Sequence, residues 1–141
     1  MRRPVGTGGA VWAMVDDRLA ERFGIALNPG HVSGLDEWMS SPILPGSDIP
    51  LASGMAMQMD VIPAHVRWGS TRMEDGYVIA DEGLRAALAR KHPNAARRRA
   101  ARAEFMRRVI GMEVPETLLP LADTCGIIAP WLLDPAQVVV L

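Results

Sequence analysis

Residues 51–62 read Leu-Ala-Ser-Gly-Met-Ala-Met-Gln-Met-Asp-Val-Ile, with Pro63 immediately after. From Met55 the side chains alternate, so Met55, Met57, Met59 and Val61 share one face and Gln58 and Asp60 lie on the other. A period of two predicts a strand with one fully apolar face, ended by the proline. Residues 71–80 predict a second strand. Its phase puts Arg72, Glu74, Gly76 and Val78 on one face, and Met73, Asp75, Tyr77 and Ile79 on the other.

Helical patterns flank these strands. Upstream, residues 9–23 carry Val11, Val15, Leu19 and Phe23 on one face, with Gly24 as the stop. Residues 25–50, rich in Gly, Pro, Ser and Asp, predict short strands and ordered loops that display functional side chains. Downstream, Asp81 is placed to cap a helix through Leu84, Leu88 and Arg90 that ends near His92 and Pro93. Asn94 is placed to cap a second helix that runs to Ile110 before Gly111, with Ala101, Phe105, Val109 and Met112 as its apolar stripe and Glu104 paired to Arg108. Prolines at 115, 120, 130 and 135 predict an extended, packed C-terminal arm. The fold class read from this order is α+β, an antiparallel sheet covered by helices.

Composition narrows the function classes. The chain has 141 residues, 15 Lys+Arg against 16 Asp+Glu and 49% hydrophobic residues. That length suits one domain, and a net charge of −1 argues against retention by nucleic acid or membrane through the overall field. The lone Cys125 excludes an internal disulfide and a cysteine-rich zinc site, and fits a reducing, cytoplasmic setting. Met1-Arg2-Arg3 and the apolar run to Val15 have the charge order of a signal peptide. Three glycines and a proline interrupt the run, however, and no cleavage pattern follows it. No window approaches a membrane span.

The six arginines of residues 97–108 suggest a phosphate-binding helix, but they lack interleaved aromatics and read as a solvated face. Gly6-Thr7-Gly8-Gly9 lacks the spacing and lysine of a phosphate loop and reads as a flexible N-terminal segment. Neither HExxH nor GxSxG occurs. The remaining chemistry is dispersed: His31 after a glycine, Asp60 on one strand and Glu74 on the next. An imidazole with two carboxylates suits a hydrolytic divalent metal, and same-face groups on adjacent strands, about 4.8 Å apart, converge well on one ion.

Three segments raise that reading. Gly30-His31-Val32-Ser33-Gly34-Leu35-Asp36, then residues 51–60, then Thr71-Arg72-Met73-Glu74-Asp75-Gly76-Tyr77-Val78-Ile79-Ala80-Asp81-Glu82-Gly83 occur in this order. Together they resemble the C-terminal half of the creatinase/aminopeptidase, or pita-bread, metallopeptidases, nearest to the Xaa-Pro aminopeptidases and prolidases. The likeness covers roughly residues 9–90, leaving 91–141 as helix and arm of a single partial domain, 1–141. It implies that His31, Asp60 and Glu74 are metal ligands and that Glu74 bridges two divalent ions, manganese, cobalt or zinc. Those ions would generate the hydroxide that attacks a peptide carbonyl, which makes Glu74 catalytic. It also implies that Arg72 orients a substrate carboxylate, against which stands an ordinary cross-strand ion pair.

The sequence departs from the family in several places. The two upstream aspartate ligands have no counterpart, because only 30 residues precede His31 and Asp16 and Asp17 fall in the predicted helix. Trp38 stands where the family has a second histidine, and Leu27 where some members have another. Asp60 replaces a glutamate, which shortens its reach on the order of 1.5 Å. Two functions follow from the resemblance. One is a metal-dependent aminopeptidase region, hydrolysing peptides when completed by a missing half. The other is a non-catalytic, degenerate half acting in binding or assembly, with a homodimer covering the exposed face. Neither involves nucleic acid or membrane.

Overall fold

The computed structural model describes residues 6–19, 23–25, 27–34, 36, 39–67, 69–70 and 73–121. The principal sheet has four antiparallel strands in the order β3 (Gly30–Val32), β5 (Ala56–Val61), β8 (Met73–Ile79) and β9 (Leu118–Pro120). Two small sheets flank it. One pairs β1 (Gly6–Thr7) with β4 (Pro50–Leu51), and the other orders β2 (Gly24–Ile25), β6 (Pro63–His65) and β7 (Gly69–Ser70). Three helices complete the described residues: α1 (Gly8–Leu19), α2 (Glu82–Lys91) and α3 (Pro93–Phe105), the last continuing into a π-helical turn, Met106–Ile110. The chain is therefore α+β with antiparallel sheets. None of its described helices is long and apolar enough to cross a membrane.

The strand phases set the core. Register aligns Val32, Met57 and Tyr77 across three strands, so these side chains share one face. Met57 and Ile79 on that face join Ile43 and Leu51 as the buried cluster, against which Val11, Trp12, Val32, Tyr77 and Leu118 pack. Each buried side chain of this size contributes about 1.5–3 kcal/mol relative to exposure.

The glycine-rich start is ordered rather than flexible. Gly6 and Thr7 pair with Leu51 and Pro50, and the N–H groups of Gly8 and Gly9 donate to Ile49 and Ser47 carbonyls at 3.0 Å. A Cβ on Gly8 would stand 1.8 Å from the carbonyl oxygen of Pro42, so close backbone approach explains the glycine there.

Asp81 caps α2, its Oδ1 accepting from the Leu84 N–H at 2.8 Å. The helix after it starts two residues earlier than a cap at Asn94 predicts: Pro93 opens α3 at the first helical turn, where a missing N–H costs nothing, and His92 takes the cap position without a side-chain bond. Gly111 ends the π turn in the left-handed region at φ 75°. The buried side of α3 is not the expected stripe. Arg102, Ala103 and Met106 are buried, whereas Ala101 is exposed and Val109 is 40% exposed. The helix turns that way because it packs over the edge strand β9, where Arg99 donates to the Pro120 and Leu121 carbonyls. Arg107 and Arg108 both approach Glu104, at 3.9 and 3.7 Å. The first part of the expected C-terminal arm forms β9, and residues 122–141, including Cys125, lie outside the described residues.

Candidate functional site

Pairing brings the dispersed polar residues onto one sheet face. Along β5 the register sets His31 opposite Gln58 and Asp60 opposite Glu74, with Gln58 also opposite Gly76. Residues directly opposite share a face, so His31, Gln58, Asp60 and Glu74 all lie on the side away from Met57. The Asp60 N–H donates to the Pro29 carbonyl at 3.2 Å, on the β3 side of the strand. Toward β8, Asp60 and Glu74 therefore form a non-hydrogen-bonded pair, the closer of the two antiparallel pair types, with Cα atoms about 4.5 Å apart.

The four residues differ in exposure. His31 is 3% exposed and its Nδ1 lies 3.2 Å from the Val32 carbonyl oxygen, which orients the ring. Asp60 is buried and Glu74 exposed. The Gln58 side-chain amide donates to Glu74 Oε2 at 2.9 Å. Gln58 thus belongs to the site although the metal-ligand reading passed it over. Its position two residues before Asp60, on the same face, was the available signal. Arg72 and Trp38 lie outside the described residues, and Leu27 is 50% exposed.

The family's metal pair does not fit these groups. His31 faces an amide rather than a carboxylate, and one Glu74 oxygen is already engaged by Gln58. Among the described residues no three His, Cys, Asp or Glu side chains come close enough together to hold a metal ion. Asp16 and Asp17 lie in α1, as their spacing predicts. What the face offers is a pair of facing carboxylates beside an amide and an imidazole, an acceptor-rich surface suited to N–H and ammonium donors.

The opposite face carries a second polar pair. Asp75 and Arg102 face one another electrostatically, and Asp75 Oδ1 and Arg102 Nε and Nη2 are buried with no hydrogen-bond partner among the described residues. Burial raises the Asp75 pKa above 3.8, a rise that Arg102 and the Gly76 N–H partly offset. Burial likewise raises Tyr77 above 10.0. The Arg102 guanidinium also sits 5.1 Å from the Phe105 ring centre, a cation–π contact.

No family model matches the chain, and no curated protein or solved structure matches it either. The class defined by its elements is an α+β chain of antiparallel sheets with three described helices.

Proposed function

We propose that this chain is a divergent form of the C-terminal half of the pita-bread metallopeptidase fold, and that its His31–Gln58–Asp60–Glu74 face binds peptide without hydrolysing it. The observation that carries the reading is the register: the three residues that the resemblance singles out, dispersed over 44 positions, fall on one face of adjacent strands. Binding is favoured over hydrolysis because Gln58 occupies Glu74 and the family's two-ion site does not fit the described residues. The ligand suggested by two facing carboxylates is the ammonium of a peptide N-terminus, with Xaa-Pro peptides the class the resemblance implies. A cytoplasmic setting and a homodimer belong to the same proposal, the latter supported by exposed Met39, Val66 and Leu44.

The test is calorimetric titration of the purified chain with a short Xaa-Pro peptide and its N-acetylated form, with and without manganese or cobalt. Binding of the free-amine peptide alone, lost in Glu74→Gln and independent of metal, is the expected result. Stoichiometric metal uptake with peptide turnover would establish the aminopeptidase reading instead. Equal binding of both peptides, or of neither, would remove the carboxylate face as the recognition surface.

A further inference from the structure

A groove of about 630 Å³, lined by none of His31, Gln58, Asp60 and Glu74, lies between α2, α3 and β9. Its floor is apolar and low, made by Leu88, Ala96, Ala100, Ala103, Leu118 and Leu119. The three alanines recur at i, i+4 and i+7 along α3, so they form one straight stripe on which another backbone can approach closely. Arginines rim it. The lining holds Arg85, Arg97, Arg99 and Arg107 against Glu104 and Glu116, a formal +2 on a chain whose total is −1.

Most of the rim arginines already have partners. Arg85 reaches Glu116 at 3.6 Å and the Ala80 carbonyl at 2.9 Å, Arg99 bonds the end of β9, and Arg107 bonds the Val114 carbonyl at 2.8 Å. Arg97 differs: it lines the groove, is exposed and makes no ion pair among the described residues. Arg97 and Arg107 mark positions roughly 15 Å apart along the helix, at 1.5 Å per residue.

We propose that this groove docks an acidic amphipathic helix from a partner protein. Its apolar seam would lie on the alanine and leucine floor, and its carboxylates would meet Arg97 and the flanking guanidiniums. Charge complementarity selects acidic over basic segments. Among the described residues the groove lining holds no aromatic side chain, which together with its apolar floor favours a peptide over a nucleic acid, whose bases need stacking partners.

The test uses the full chain and a panel of fluorescein-labelled helical peptides of about 18 residues, with leucines at i, i+3 and i+7 and flanking glutamates. Each peptide is read by fluorescence anisotropy beside its lysine-for-glutamate counterpart. Binding of an acidic peptide, weakened about tenfold or more by Arg97→Glu and by Ala100→Glu and absent for the lysine counterpart, is the expected result. Both substitutions fall on exposed helix positions, and far-UV circular dichroism checks that each variant is folded. Failure of every acidic peptide to bind, or binding indifferent to both substitutions, overturns the proposal. So does displacement of the peptide by a single-stranded RNA whose own binding Arg97→Glu abolishes. Self-association in sedimentation, lost on Ala100→Glu, would assign the groove to a second copy of the chain.

Discussion

Replacing Met57 by alanine separates the two faces of β5 more sharply than any other single change. Met57 is 0% exposed and packs in one cluster with Ile43, Leu51 and Ile79. Truncation removes buried methylene, thioether and methyl groups and leaves a cavity that the crossing strands only partly close, a loss of about 2–5 kcal/mol. Against a whole-domain stability of about 5–15 kcal/mol this is a large fraction. At about 2–4 °C per kcal/mol for a chain of this size, the melting temperature falls by roughly 5–20 °C. The adjacent Gln58→Ala loses one hydrogen bond to an exposed carboxylate, at 2.9 Å, and costs about 1 kcal/mol or less. Urea unfolding followed by circular dichroism measures both, and an unchanged m-value confirms that the unfolding surface is the same. A one-residue slip of β5 would exchange the two faces. Finding Gln58→Ala as damaging as Met57→Ala would therefore refute the assigned register.

Three further outcomes follow from the packing. Arg102→Met keeps the bulk of the buried side chain but removes the charge facing Asp75, and so pushes the Asp75 pKa further up. Because that pKa is raised on folding, its contribution to stability is present at low pH and lost as pH rises from 3.8 through the folded value. Urea midpoints measured across pH should show this decline extending to higher pH in Arg102→Met than in the parent. Asp81→Ala removes the bond to the Leu84 N–H and costs about 1 kcal/mol, read as a lower melting temperature with slightly reduced helicity. Gly8→Ala forces a methyl to within 1.8 Å of the Pro42 carbonyl oxygen, and by shifting α1 it lowers stability by about 1–3 kcal/mol in the same assay.

Much of the main sheet was legible in the sequence, because strand alternation reports face directly. The Met57 and Ile79 faces, the Asp81 cap and the Gly111 stop follow from residue type and spacing alone. What spacing does not carry is register. That Gln58, rather than a carboxylate, stands opposite His31 depends on where β3 and β5 pair, and no local pattern sets that alignment. The arginine helix is ambiguous in sequence for a related reason. Its arginine positions are as compatible with a solvated face as with a partly buried one, until β9 supplies carbonyls for Arg99 and Asp75 supplies a charge for Arg102. By residue type alone the glycines at the start imply freedom. They are instead the residues that let α1 begin against Pro42.

The meeting of Asp60 and Glu74 on one polar face is tested most directly by a cross-strand disulfide. In a Cys125→Ser background, Asp60→Cys with Glu74→Cys places two thiols on a directly opposed, non-hydrogen-bonded pair, whose Cβ spacing of about 4.5 Å meets the upper end of the disulfide range. Thiol titration after mild oxidation should show both consumed in the monomer, whereas Met59→Cys with Glu74→Cys, on opposite faces, stays reduced. Oxidation of the second pair in place of the first would contradict the shared face on which the proposed function depends.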